Sequence, residues 1–265
     1  MKIVAIGGGN NSNIKKTGEP KIYEHENIDK EIIRLSGKKR PNVLYISHAS
    51  SPEFEEGSFK AIKNTYEKMY RCTVKLFSIE MLLDFNESCE LLDWADIIYV
   101  GGGNTKQLLE LWRKSGLDEK LIEAANNGKV LCGISAGGGC WFNYTSSDYL
   151  QMETGNPSAP FMPLKGLGLV NLIFNPHAGE TGRMRDIKNI TESIGLRGLS
   201  LTDNMAIEIV DDEYKLVEGI SSEDYSREAI ISYWDGRDYM IEPVDKEGLI
   251  SELSGNKKKT HQKRK

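Results

Sequence analysis

The chain has 265 residues, with 34 Lys and Arg against 39 Asp and Glu and a formal charge of -5. That length suits one large α/β domain with a substantial core, and the mild, dispersed acidity provides neither a basic footprint for nucleic acid nor a strong field toward anionic membranes. Neither partner is therefore expected. The opening Met-Lys-Ile-Val-Ala-Ile-Gly-Gly-Gly-Asn is too short in apolar residues for a secretory signal, and no apolar run approaches a membrane span. Cys72, Cys89, Cys132 and Cys140 form no CxxC pair and no metal-ligand spacing, so the cytoplasm is the expected compartment and no metal is expected.

In chain order, residues 2–6, 42–47, 72–77, 97–100 and 129–134 are short runs rich in Val, Ile and Leu, each followed by a turn signal and most of them by a helical pattern. This is the pattern of an α/β fold with a mainly parallel sheet flanked by helices, its strands buried on both faces. Helical spacing covers 52–69, 105–113 with Asn104 as N-cap, and 117–125. Beyond about residue 199 the character changes. Short strands at 205–210, 214–217, 229–234 and 239–241 are separated by Asp-Asp, Glu-Gly and Asp-Gly turn signals, which predicts an antiparallel C-terminal extension at one edge. A single domain over 1–256 is expected, with 257–265 as a basic, solvated, disordered tail.

Gly133-Ile134-Ser135-Ala136-Gly137 fits the G-x-S-x-G pattern of a nucleophile elbow. A buried-strand signal precedes it, and 136–142 can begin a helix. Such a turn projects the Ser135 hydroxyl from the carboxyl end of the sheet, where open α/β folds build their sites, and leaves the Ala136 amide to donate to an oxyanion. Gly101-Gly102-Gly103-Asn104 ends another strand, so Gly102 or Gly103 can supply a second donor. Neither this run nor Gly7-Gly8-Gly9 continues to the last glycine of G-x-G-x-x-G, so no dinucleotide cofactor is expected.

A serine elbow needs a base. Of four histidines, His261 lies in the tail and His25 in a Glu-rich polar segment, leaving His48 and His177, each after an apolar strand. His177 is favoured because Asn175-Pro176 breaks the strand and Ala178-Gly179 gives a loop that can present the imidazole. For the acid that orients it, Asp203 and Asp148 both qualify by spacing.

Five segments in order resemble the dipeptidase E and cyanophycinase group of serine peptidases: Ile-Val-Ala-Ile-Gly-Gly-Gly at 3–9, Val-Gly-Gly-Gly-Asn-Thr at 100–105, Gly-Ile-Ser-Ala-Gly at 133–137, Asn-Pro-His at 175–177 and Thr-Asp-Asn-Met-Ala-Ile at 202–207. The resemblance implies a class I glutamine amidotransferase-like (flavodoxin-like) fold with serine in place of cysteine at the elbow. It also implies metal-free cleavage of short peptides, often beside an aspartyl residue, and a homodimer is compatible with it. The Ser, His, acid order carries over to Ser135, His177 and Asp203, where the group commonly has glutamate. Asp148 matches an aspartate retained as an auxiliary or substrate-site residue. Arg183, in Gly179-Glu180-Thr181-Gly182-Arg183, stands near the position of an arginine that binds the aspartyl side chain. Two other functions share these residues: an esterase of α/β-hydrolase type, which needs its acid between serine and histidine as at Asp148, and a catalytically degenerate binding protein.

Overall fold

The structure, a computed structural model, describes residues 1–9, 13–14, 22–220 and 227–255; the basic run 257–265 lies outside the described residues. Strand β1 (Lys2–Ile6), the short strands β2 (Asn13–Ile14) and β3 (Ile22–Tyr23), and helix α1 (Glu26–Ser36) come first. They are followed by β4 (Asn42–Ile46), α2 (Pro52–Tyr70), β5 (Thr73–Phe77), α3 (Phe85–Trp94) and β6 (Ile97–Val100). Helices α4 (Thr105–Ser115) and α5 (Leu117–Asn126) lead to β7 (Val130–Ile134) and the four-residue α6 (Ala136–Gly139). Next come β8 (Phe142–Ser147), α7 (Tyr149–Thr154), β9 (Met162–Lys165), β10 (Val170–Asn175), α8 (Arg183–Ile194) and β11 (Gly198–Leu201). The chain closes with β12 (Met205–Val210), β13 (Glu213–Glu218), β14 (Ala229–Trp234), β15 (Tyr239–Pro243), β16 (Glu247–Leu249) and α9 (Ile250–Leu253).

The apolar runs of the first half pair as a parallel sheet in the order β1-β7-β6-β4-β5, to which β12, β13 and β16 add antiparallel on the β1 side. A second sheet, β15-β14-β11-β10-β8-β9, is parallel only at its centre, β11-β10-β8. The antiparallel strands of the C-terminal region thus divide between two sheets instead of extending one. This is a mixed α/β architecture with its sheets flanked by helices.

Alternation along the strands sets the layers, because successive side chains point to opposite faces. Val4 and Ile6 of β1 face Ile28, Ile32, Ile62 and Tyr66 of α1 and α2. Ile3 and Ala5 share the other core with Leu108, Trp112 and Leu121 of α4 and α5, and with Phe142, Phe174 and Leu199 of the second sheet. Helix α8 covers the outer face of that sheet through Ile187 and Ile190 against Ile173. The helix after Ser135 stops at Gly139 rather than continuing toward residue 142. Three consecutive glycines hold a helix poorly, and Phe142 instead starts β8 and stacks on Phe174 with ring centroids 4.8 Å apart. Among the described residues no helix is long and apolar enough to cross a membrane.

Candidate active site

The carboxyl ends of β1, β7 and β10 meet where the two sheets adjoin. Ser135 follows β7 directly with φ 54 and ψ -114, a conformation that non-glycine residues adopt only where the surroundings impose it. Here the imposition is visible. Its amide donates to the Ile6 carbonyl of β1 at 2.9 Å, and its own carbonyl accepts from Gly138 and Gly139 at 3.0 and 2.9 Å. A Cβ on Gly137 would overlap the Val100 carbonyl, so the elbow packs against β6 only with glycine there. The Ala136 amide, first in α6, has no acceptor one turn back within the helix.

His177 lies two residues beyond β10, also at positive φ (51), its amide donating to Gly7 O at 3.0 Å. Its Nε2 is 2.9 Å from Ser135 Oγ and its Nδ1 is 2.7 Å from Asp203 Oδ1. The neutral tautomer that satisfies both donates Nδ1–H to the carboxylate and accepts the serine hydroxyl at Nε2. The hydrogen bond from His177 holds the Asp203 carboxyl below its ordinary value, against the opposing effect of partial burial; the charges of His177, His25 and Arg183 act in the same direction. Ser135, His177 and Asp203 therefore form one hydrogen-bonded chain. Asp203 follows the histidine in sequence, whereas an α/β-hydrolase esterase places its acid before it.

The other expected residues divide. A Cβ on Gly102 would stand 3.5 Å from Ser135 Cβ, so this glycine faces the nucleophile. Gly103 instead packs on the Ala49 carbonyl, and Asn104 is spent on structure: its amide donates to Ala49 O at 2.8 Å and its side chain caps α4 by accepting from Gln107 N at 3.1 Å. Asp148 sits at the end of β8 and Arg183 at the start of α8, 3.9 Å apart between Oδ2 and Nη2. His48 is buried, receives the Trp112 indole N–H at Nδ1 (3.0 Å) and places Nε2 3.1 Å from Ser78 O. Burial lowers its pKa to about 4, and both ring nitrogens are occupied away from Ser135.

Two features of the site were not assigned to it by the sequence. Gly8 passes directly beneath the His177–Asp203 pair, and any Cβ there would overlap Asp203 Oδ1 and the imidazole. Gly7 packs against Leu201 and Thr202, and Gly9 against Asn204 and His25. His25, set in a Glu-rich stretch, is fully buried, with Nε2 3.2 Å from Gly8 O; burial lowers its pKa, a shift partly opposed by that hydrogen bond. Flanking glutamates disguised it, and its only local signal was its place just before an amphipathic helix. Asn204, at φ 60, completes the support by donating its amide to Gly8 O at 3.0 Å. Among the described residues, no group of three or more His, Cys, Asp or Glu side chains is arranged to hold a metal ion.

The model of peptidase family S51 matches residues 15–217. The chain belongs to this family. It is 31% identical over 228 residues, 83% of its own length and 87% of the relative's, to an uncharacterized peptidase, YgaJ, of Bacillus subtilis (strain 168). Over 86 residues, 32% of its length and 33% of the relative's, it is 35% identical to peptidase E of Streptomyces coelicolor. The crystal structure of a peptidase from an acI-B1 Actinobacterium is similar in fold with a TM-score of 0.65 at 17% identity, covering 94% of this chain and 96% of the other. A putative peptidase E protein from Listeria monocytogenes EGD-e gives a TM-score of 0.55 at 20% identity, covering 83% and 98%. This S51 family member is accordingly a serine-type peptidase of the peptidase E-like group, with the fold expected of that group.

Proposed function

We propose that this S51 peptidase hydrolyses short peptides through an acyl-enzyme formed on Ser135, with His177 as general base and Asp203 as its orienting acid. The observation that carries the proposal is the continuous chain from Ser135 Oγ through His177 to Asp203, at 2.9 and 2.7 Å. His177 Nε2 takes the hydroxyl proton as Oγ attacks the scissile carbonyl carbon, and the Asp203 carboxylate stabilises the imidazolium that results. The developing oxyanion is held by the amide of Ala136, with Gly102 beside the nucleophile as the second donor. Collapse of the tetrahedral species breaks the C–N bond, and Nε2–H passes its proton to the leaving amine. Water, activated by the same nitrogen, then attacks the ester and releases the acid and free Ser135. Ser135→Ala, checked to be folded, is expected to lose peptide hydrolysis by several orders of magnitude; retention of the parent rate would refute the assignment.

An aspartyl preference would need Arg183 free to pair with a substrate carboxylate, and its guanidinium is instead buried among protein acceptors. Peptidase activity is therefore proposed here without an Asp-X requirement.

A further inference from the structure

The proposed chemistry leaves His25 without a role. Its imidazole is fully buried, and burial lowers its pKa, so the ring is neutral and carries a single proton. Nε2 lies 3.2 Å from the Gly8 carbonyl, which can only accept, so that proton sits on Nε2. Nδ1 is buried and has no hydrogen-bond partner. Leaving a ring nitrogen buried and unpaired is unfavourable, and an apolar side chain of similar size would avoid it. What the imidazole gains instead is the bond to Gly8.

Gly8 connects that bond to the reaction. Its α-carbon backs onto the dyad so closely that a Cβ there would overlap both Asp203 Oδ1 and the His177 imidazole. The same peptides are tied to both members of the pair: Gly7 O accepts the His177 amide at 3.0 Å, and Gly8 O accepts the amide of Asn204, next after Asp203, also at 3.0 Å. His25 is itself held in place. Ile220 N donates to the Glu24 carbonyl at 2.6 Å, Asp29 N to the His25 carbonyl at 2.8 Å as α1 begins, and Gly219 N to the Asn204 carbonyl at 2.7 Å. These bonds close a ring through His25, Gly8, Asn204, Gly219 and Ile220, so a change at the imidazole is felt at the peptide beneath the dyad. A Cβ on Gly9 would come within 2.8 Å of His25 Nε2, which shows how directly the imidazole edge lies on this stretch of backbone.

We infer that His25 is a positioning residue: its Nε2–H, through the Gly8 carbonyl, holds the peptide on which the His177–Asp203 pair rests and so keeps His177 aligned with Ser135. The inference rests on the triad of the proposed function, and its test reads the dyad separately from the nucleophile. His25→Leu removes the donor, His25→Gln carries an amide N–H as far from the backbone as Nε2, and His25→Asn carries one only as far as Nδ1. The rate at which a fluorophosphonate labels Ser135 is followed at saturating and subsaturating probe, with a urea melt as the folding control. The low-field proton NMR signal of His177 Nδ1–H reports the dyad hydrogen bond. His25→Leu and His25→Asn should slow labelling at saturation by about ten- to a hundredfold, the upper limit being the cost of a misplacement of about 1 Å, and should shift that signal. The half-saturating concentration should change by less than about threefold. His25→Gln should restore both rate and signal. Equal slowing in the Gln and Leu variants, or a folded His25→Leu protein with the parent rate and signal, would overturn the inference. Nitrogen NMR of histidine-labelled parent protein gives a check that needs no variant: a proton on Nε2 of His25 supports the inference, and one on Nδ1 overturns it. A parent Ser135 that resists the probe, with the dyad signal shifted in His25→Leu and regained in His25→Gln, would support the inference while removing the triad proposal.

Discussion

Gly8→Ala adds one methyl group, and the structure places that methyl where the His177–Asp203 hydrogen bond now runs. The new Cβ would sit more than about 1 Å inside ordinary van der Waals distance of Asp203 Oδ1 and of His177 Cε1 and Nδ1. Gly8 itself cannot retreat easily, because its carbonyl accepts the Asn204 amide at 3.0 Å and lies 3.2 Å from His25 Nε2. The dyad must therefore yield by about an ångström. Misplacement of that size costs on the order of 10²-fold in rate, and full loss of the acid's orienting role about 10⁴-fold, so kcat should fall between these limits. The assay is steady-state peptide hydrolysis alongside a urea melt, with kcat and KM read separately. A folded Gly8→Ala enzyme with the parent kcat would refute the claim that this glycine exists to admit the dyad.

Three further outcomes follow from the geometry. Asp203→Asn should reduce kcat by about 10³- to 10⁴-fold by removing the acceptor that fixes the imidazole tautomer, and the pH-rate profile of the parent should show no Asp203 inflection between about pH 5 and 8 because that carboxyl titrates below its ordinary value; an inflection assigned to Asp203 in that range, or an active Asn variant, would count against the arrangement. His48→Ala should cost about 2–4 kcal/mol of stability, leaving the buried Trp112 indole N–H unpaired, yet alter kcat by only a few-fold, so a large loss of kcat in folded protein would return His48 to the chemistry. Asp29, on the buried face of α1, is wholly buried, and burial raises its pKa from 3.8 to about 7 although hydrogen bonds from Tyr66 and Tyr23 pull the other way. Between those values the native state keeps a proton that the unfolded chain has released, so this group's stabilising contribution is full below about pH 4 and declines as pH rises to about 7, by up to about 4 kcal/mol; in urea melts the Asp29→Asn variant should gain on the parent across that window, and a constant difference from pH 5 to 8 would contradict the sign.

The parallel half of the fold was legible because its strands carry nearly continuous apolar runs and its helices clear periodicity, as in Ile97–Val100 and Thr105–Ser115. The elbow was legible for the same reason, a buried strand running into small residues. The second sheet was legible only in part, through β10, β14 and β15. Strand β8 reads Phe-Asn-Tyr-Thr-Ser-Ser, a polar composition following a glycine run, and β9 contains Pro163, so neither announces a buried strand locally. What makes β8 a strand is pairing with β10, further along the chain, and β9 in turn pairs with β8. His25 and Gly8 were hidden for a related reason. A histidine between two glutamates reads as solvated, and three glycines after a first strand, lacking the last glycine of a dinucleotide loop, show no chemical role of their own until the chain returns from residue 203 and places a carboxylate against Gly8.

The central claim is that Ser135 is activated by His177, and a fluorophosphonate tests it most directly. Intact and peptide mass spectrometry of the treated protein should show a single adduct on Ser135, absent from Ser135→Ala and formed far more slowly in folded His177→Ala. Folded parent protein that stays unlabelled, or that carries the adduct on another residue, would contradict it.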